Sequence, residues 1–530
     1  MKDIEIPYQS EKTKMYRLFE IIPGAISWTI LAMPFILSLI NAGVAAFIII
    51  AYLLLWFVKA VGLNIRSLQG YNMLQKQQKY DWAAMLNELE VGEVSDAEAK
   101  RPKWHYDNLL RLQVKAARVK PSELTHVLMI AAYNETRDVL EPTIQAVLKS
   151  KFDMKKVILV FAYEERGGEA TDTLIRDLTK TYGKHFRHAM CVKHPAGTPG
   201  EVIGKGPNIT YAGRALLRYI EQDTDLDPLN VIVTTLDSDN RPHVHYLNAL
   251  SYLYAMTPEP QHVSYQPIPV FTNNIWDAPA ASRVIATGNT FWNVVLALRP
   301  HMIRNFSSHA QSLQTLIDTD FWSVRTIVED GHQFWRTYFR YDGKHEVYPL
   351  YLPIYQDAVI SSTYWKTLKA QFVQLRRWAY GASDITYVAN KGFFTKNDVP
   401  KSDLVMKFGR LMEGHISWAT SPLILAFAAF IPILFNPDNI AANQLPFIVS
   451  RIQTLAMLGL FVTVYLSLRL LPPRPKRYKP HRTLFMLLQY ILFPVTTVLY
   501  NGLSGLYSQT RLMLGKYMDT FDVTDKVVKK

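Results

Sequence analysis

The residues of this chain best suited to chemistry are acidic and come in short, ordered groups. Leu236-Asp237-Ser238-Asp239 places two carboxylates one residue apart, directly after a short apolar run. On the turn that leaves a buried strand, such a pair can approach one divalent ion. Mg2+ or Mn2+ takes carboxylate oxygens together with substrate phosphates, which is how a diphosphate leaving group is neutralised. The same spacing recurs at Asp223/Asp225, Asp225/Asp227 and Asp318/Asp320, but none of these directly follows a buried-strand pattern, and they read as solvated loop or helix-cap acids. Downstream stand Val328-Glu329-Asp330-Gly331 and Gln374-Leu375-Arg376-Arg377-Trp378. An isolated acidic pair is commonly a helix cap. The Q-x-x-R-W segment reads either as an amphipathic helix at a membrane interface, or as a helix whose Arg377 meets a diphosphate and whose Trp378 offers an apolar face to a sugar ring.

The elements that must carry these groups are legible from hydrophobic pattern. Residues 127–132, 157–162, 189–193 and 231–236 are short apolar runs bounded by polar residues, the mark of buried parallel strands. Between them, residues 138–149, 171–181 and 208–220 have helical spacing. Strands alternating with helices predict a layered α/β domain with a parallel sheet. In such sheets ligands sit beyond the carboxyl ends of the strands, where Asp237 and Asp239 fall.

Both ends of the chain are apolar. No residue between Glu20 and Lys59 is charged. A membrane span needs about 20 apolar residues, so residues 21–58 hold two, turning at Asn41-Ala42-Gly43. Residues 416–435 and 452–468 read as a third and fourth span, joined by a connection at 436–446 that lacks Lys and Arg. Basic residues flank these runs at Lys2, Lys12, Lys14 and Arg17, and again at Arg474, Lys476, Arg477, Lys479 and Arg482. By the positive-inside tendency they face the cytosol, and so does the region between the spans. Residues 483–510 are uncharged, yet the tail beyond them carries Arg511, Lys516, Lys526, Lys529 and Lys530. Pro494, Gly502 and Gly505 favour a re-entrant hairpin or two short spans there, which would return the tail inside.

The chain has 530 residues, 49% of them hydrophobic and 19% charged, with a net charge of +13. The basic residues gather beside apolar runs, as at an anionic inner leaflet, and no nucleic-acid reader motif is present, so nucleic acid is not an expected partner. The single cysteine, Cys191, excludes an intramolecular disulfide framework. Asn-x-Ser/Thr sites at Asn134, Asn208 and Asn305 fall in the cytosolic region and are discounted as glycosylation sites. Gln266–Trp276 and Asn289-Thr290-Phe291-Trp292 are rich in amide and aromatic groups, which serve equally to bind a glycan or to fill a core.

Taken in order, a strand running into Ala132-Tyr133-Asn134-Glu135, a D-x-D after a later strand, then E-D, then Q-x-x-R-W resembles the processive glycosyltransferase family 2 enzymes, among them the cellulose, chitin and hyaluronan synthases. The likeness spans residues 126–385. It implies a GT-A-like nucleotide-sugar-binding domain with a mainly parallel sheet, flanked by transmembrane helices. The expected division is two transmembrane helices within 1–64, a helical connector at 65–122, the cytosolic domain at 123–400, and three to four transmembrane or re-entrant helices with a basic tail at 401–530. The implied location is a multi-pass protein of the plasma (inner) membrane.

Carried over by position, Ala132, Tyr133, Asn134 and Glu135 would line the nucleotide pocket. Asp237 would touch the donor, and Asp239 with Asp237 would hold Mg2+ or Mn2+. Asp330, beside Glu329, would be the general base, and Gln374, Arg377 and Trp378 would hold the diphosphate and the acceptor end. Lys205, in Gly204-Lys205-Gly206-Pro207-Asn208, stands where the family often has a basic residue near the donor; it reads alternatively as a solvated loop lysine. The implied activity is inverting transfer from a nucleotide-sugar to a growing polysaccharide. Single-sugar transfer to a lipid carrier or glycolipid is one alternative, and a non-catalytic membrane scaffold another. The chain departs from the family in two places. The usual D-D-G-S turn is here Ala162-Tyr163-Glu164-Glu165-Arg166-Gly167-Gly168, so Glu164 or Glu165 would substitute with a longer side chain; a UDP-sugar is what the resemblance implies, and these residues leave uridine against guanosine open. The usual T-E-D is V-E-D.

Overall fold

A computed structural model of the chain describes residues 3–520 apart from 97, 99 and 116; Lys2, Lys526, Lys529 and Lys530 of the charge pattern lie outside the described residues. Its centre is an eight-stranded sheet. The strands are β1 (Thr125–Ala132), β2 (Val157–Glu164), β3 (His188–His194), β4 (Val231–Asp237), β5 (Arg241–Pro242), β6 (Val263–Phe271), β7 (Ala310–Ser312) and β8 (Glu346–Gln356), in the order β3-β2-β1-β4-β7-β6-β8-β5. The first four pair in parallel. β7 lies antiparallel between β4 and β6, β8 pairs in parallel with β6, and β5 closes the edge antiparallel to β8. All four strands and three helices expected from the pattern are present, each within a few residues of its expected bounds.

The apolar runs form strands because both faces are covered. Leu128, Ile130, Leu159 and Phe161 pack beneath Leu140, Ile144, Ile175 and Leu178 of the helices Arg137–Leu148 and Gly168–Tyr182. On the other face, Val127, Met129, Val160 and Val233 meet Ile209, Ala212 and Leu216 of the helix Lys205–Asp223. The register then aligns the carboxyl ends in one row: Ala131 beside Asp237, Ala132 beside Tyr163, and Glu164 beside His194.

Strand β6 runs through the amide- and proline-rich stretch for which the sequence offered two uses. Every residue of it is buried, and Gln266 spends its amide on Pro267 O and the Phe306 N–H. The register slips between Pro267 and Ile268, which lets a strand lacking two N–H donors pair with β8. Between the first membrane-length helices and the sheet, the helices Trp82–Val91 and Lys103–Val114 pack against Tyr246–Ala255, pinned by buried Glu88 to Arg101 at 2.7 Å and His105 at 2.8 Å.

Five helices are long and apolar enough to cross a membrane: Lys14–Ile40, Ala42–Gln77, Lys401–Phe435, Ile440–Leu470 and His481–Met513. They leave large apolar side chains outside, as at Ile40 (76% exposed), Phe461 (75%) and Ile491 (82%), which a lipid phase would cover. The first two turn at Asn41, whose side chain caps the second through Gly43 N and Val44 N. That helix continues beyond residue 64 to Gln77. The connection after Phe435 is shorter than the 436–446 read from the sequence, because Asn439 caps a helix that starts at Ile440.

The stretch 483–510, read as a re-entrant hairpin or two short spans, lies in one helical run. His481–Met513 is helical throughout, and Pro494 and Gly502 produce only a local 3-10 turn and a wide π-turn at Thr497–Gly502. Its two ends nevertheless both meet the domain's side. Arg482 donates to Trp276 O, while Leu512 O accepts from Arg17 at the start of the first helix. Beyond it residues 514–520 lie on the domain, with Ile203 bridged to Thr520 and Met518 N donating to the Tyr380 hydroxyl.

Candidate active site

Lys205 organises the site. It opens the helix Lys205–Asp223 and is buried, not the solvated loop lysine of the alternative reading. Its ammonium lies 2.9 Å from Asp237 Oδ1, 3.4 Å from Asp330 Oδ1 and 3.7 Å from Glu329 Oε1. Gly206 makes this approach possible: a Cβ there would stand 2.5 Å from Ser323 O and 3.1 Å from Glu329 Cβ. Burial works against the ammonium, yet the charges of Asp237, Asp330 and Glu329 more than offset it and hold its pKa above the ordinary lysine value. Glu329 is buried at the start of the helix Glu329–Arg340, and burial, then the charge of Asp330, push its carboxyl well above the usual range against the pull of Lys205.

The Glu329 shift has a testable sign. A folded-state pKa above the unfolded one means that stability is lost as pH rises from the ordinary carboxylate range through the folded value. Glu329→Gln keeps the neutral shape and has no proton to lose. Its unfolding midpoint is expected to gain a few degrees on the wild type as pH is raised from 5 towards 8, roughly the interval over which such a raised carboxyl ionises. A midpoint difference that does not change with pH would remove the burial argument.

Asp237 and Asp239 diverge. Asp237 turns to Lys205 and accepts from Ser307 Oγ at 2.5 Å, whereas Asp239 Oδ2 accepts the Asp357 N–H at 2.9 Å and its carbonyl accepts from Asn273. Between them Ser238 donates to Glu135 Oε1, and Glu135 Oε2 takes the Tyr133 N–H, tying the end of β1 to the end of β4. Asn208 donates to Ala162 O at 2.9 Å and, more weakly, to Ala132 O at 3.5 Å, so the ends of β1 and β2 are joined as well. Asn134 is exposed. The other D-x-D acids take local work: Asp227 caps Leu229 N, Asp318 accepts from the Tyr341 hydroxyl, and Asp320 pairs with Arg214.

On the β2–β3 side, Glu164 pairs with Arg166, whose guanidinium lies 4.2 Å from the centre of the Tyr133 ring. These groups border a cavity of about 50 Å3 with His194, Glu201 and the loop 195–204. That loop is held from outside by Val324 O on Val202 N and by Asp519 O on Ile203 N. Arg377 is buried and Gln374 accepts from Gln371, both on the helix Tyr364–Ala379, while Trp378 rests against Phe271 at the end of β6, ring centres 6.3 Å apart.

Lys205, Asp237, Glu329 and Asp330 therefore form one cluster, and Gln374, Arg377 and Trp378 share the helix Tyr364–Ala379. Three contributors had no signal in the sequence. Ser307 and Ser308 precede a three-residue strand too short for any period, and His309 sits 3.8 Å from Asp330. His309 donates from Nδ1 to Phe306 O and accepts at Nε2 from Trp322; burial lowers its pKa, so it stands as a neutral ring of fixed tautomer.

Among the described residues no three His, Cys, Asp or Glu gather as a ready-made metal cage. Carboxylate oxygens such as those of Asp237 and Asp239 are the donor type that Mg2+ takes together with phosphate and water, although the two side chains turn to different partners here.

Fold and site together define a mixed, mainly parallel α/β domain with a lysine-centred acidic cluster at its strand ends, joined to helices of membrane-spanning length. No family model matches the chain, and no curated protein matches its sequence. Among solved structures it is similar to a mannosyltransferase from Pyrobaculum calidifontis in complex with GDP-Man and Mn2+, at 15% identity and TM-score 0.41 over 83% of this chain and 98% of that one. It is also similar to residues 1–349 of S. aureus TarS in complex with UDP-GlcNAc (10% identity, TM-score 0.37, 74% and 93% covered). A third is glucosyl-3-phosphoglycerate synthase from Mycobacterium tuberculosis in complex with Mn2+, UDP and phosphoglyceric acid (16%, 0.30, 60% and 84%).

Proposed function

We propose that the protein is a membrane-embedded, inverting glycosyltransferase of GT-A type that moves a sugar from a nucleotide-sugar to a growing glycan. The observation that carries this reading is the Lys205 cluster: three carboxylates from two segments, Asp237 at the end of β4 and the adjacent Glu329 and Asp330, meet one buried ammonium at the carboxyl ends of a parallel sheet. Asp330 keeps part of its side chain exposed and takes the proton of the acceptor hydroxyl as that oxygen bonds to the anomeric carbon. The bond from that carbon to the diphosphate breaks, and its electron pair leaves with the nucleoside diphosphate, whose charge Lys205 faces. Mg2+ or Mn2+ held by Asp239 and Asp237 supplies further neutralisation of the diphosphate when bound. Tyr133, Glu135, Glu164 and Arg166 surround the nucleoside, and Trp378 with Arg377 borders the acceptor. Five helices long and apolar enough to cross a membrane support an enzyme set in a bilayer; on this reading it is a multi-pass protein of the plasma (inner) membrane with the domain in the cytosol, as the flanking basic residues favour.

The test is nucleotide release by the purified protein in nanodiscs, across UDP- and GDP-sugars with Mg2+ or Mn2+. Release from one donor establishes the transfer and names the sugar, and product length separates a polysaccharide from a single addition. Silence with every donor, persisting after membrane lipids and glycan primers are added, would leave the scaffold as the better reading.

A further inference from the structure

Away from the acidic cluster, a cavity of about 620 Å3 opens where the loop after β6 and the helix Ala280–Ala297 meet the start of the long helix His481–Met513. Its wall is mostly apolar, with Phe485, Leu488, Ile491 and Leu492 on one side. Two guanidinium groups enter it. Arg283 is 3% exposed, yet it donates to neutral groups: the side-chain oxygen of Gln489 and, at 2.6 Å, the carbonyl of Ala278. Arg482 donates to Trp276 O at 3.1 Å, and its Nε is buried with no partner. The one acid on the wall, Asp277, is already taken by Arg477 at 2.7 Å and by the Tyr478 hydroxyl. Burial, then the charge of Arg482, draws the Arg283 pKa down to about 10, as expected where no carboxylate compensates.

A buried cation without a counter-charge is costly unless something anionic completes it. What completes it must also suit the apolar wall, which continues outward as exposed Phe485, Leu488 and Ile491. Tyr364, at the cavity, and Trp365 beside it are exposed as well, and exposed Tyr and Trp mark the headgroup level of a bilayer. Phosphate oxygens at that level, with acyl chains running along the helix, match both halves of the site. We propose that this cavity binds an acidic phospholipid, its phosphate on Arg283 and Arg482 and its acyl chains against Phe485, Leu488 and Ile491. The site is independent of the acidic cluster but connected to it. Asn274 is bonded both ways to Ala358, and the neighbouring Asn273 and Asp357 hold Asp239, so a lipid that orders residues 273–283 also steadies that carboxylate.

The experiment is native mass spectrometry of the full-length protein released from detergent with equal amounts of short-chain phosphatidylglycerol and phosphatidylcholine. Wild type is expected to retain phosphatidylglycerol about tenfold over phosphatidylcholine, whose phosphate charge is already compensated by its own choline. Arg482→Gln is expected to reduce retention to the phosphatidylcholine level. Leu488→Trp, which fills the apolar half and leaves both charges, is expected to do the same, and unchanged unfolding midpoints confirm that each variant is folded. Equal retention of the two lipids by wild type, or undiminished preference in both variants, would overturn the proposal. So would displacement of the bound lipid by millimolar inorganic phosphate, which would assign the arginines to a soluble anion. Because the readout is binding, none of these results depends on the transfer reaction.

Discussion

Replacing Asp330 by Asn is expected to lower kcat for sugar transfer by about 10² to 10⁴, the range that general-base catalysis supplies, with donor binding kept. The substitution preserves shape but removes the negative charge and with it the ability to take a proton. Asp237, at 2.9 Å, and Glu329, at 3.7 Å, still face Lys205, so the ammonium stays in place and the cluster does not collapse. His309 cannot substitute, because its Nδ1 proton is committed to Phe306 O and its Nε2 to Trp322. The loss should therefore appear in kcat with donor KM nearly constant, and the acid limb of the pH–rate profile should flatten. Nucleotide release by the variant at the wild-type rate would end the assignment of Asp330 as base. A loss confined to KM would move Asp330 to the donor pocket.

The second large effect is expected at Lys205. Lys205→Met keeps the length of the side chain and deletes the one cation shared by three carboxylates. Removing one partner of a buried ion pair typically costs about 3–5 kcal/mol. The two aspartates retain some contact with water, so the lower end, about 3 kcal/mol, is the expectation here. The pH dependence has a definite sign. In wild type the lysine's pKa is raised, so its contribution is complete throughout the neutral range and lost only on strongly alkaline titration. In the variant the carboxylates repel one another and bind protons more readily. Destabilisation should then be largest near pH 8 and shrink as pH falls towards 5. Unfolding of the detergent-solubilised variant at a series of pH values checks this. A deficit that is independent of pH would show that Lys205 acts through packing and not through charge.

Much of the architecture could be read before any coordinates. The apolar runs of β1, β2 and β4 and the amphipathic helices between them follow from a pattern that each segment carries within itself, and the uncharged stretch 21–58 resolves into two helices at Asn41 for the same kind of reason. The choice of Asp237 and Asp239 over three other acid pairs rested on that strand pattern as well. Strand β6 was not legible, since Pro267 and Pro269 argue against an interior strand and only the bulge opposite β8 admits them. Nor was the course of residues 481–513, where Pro and Gly suggested a break. Packing of Gly502 on Pro422 and of Gly505 on Ala419 instead keeps the helix continuous while its end returns to the domain.

The acids themselves were visible in the chain; which of them share a charge was not. Lys205, Asp237 and Asp330 lie up to 125 positions apart, and nothing local to any of them encodes the others. Helix and strand are decided by neighbours within a few residues, so pattern suffices for them. Charge contacts depend on how loops close and on which surfaces are desolvated together, as Gly206 against Ser323 and Glu329 does here. The same holds for Ser307, His309 and the arginine-lined cavity. Their roles arise from three-dimensional proximity and burial, quantities that the order of residues carries only through the finished fold.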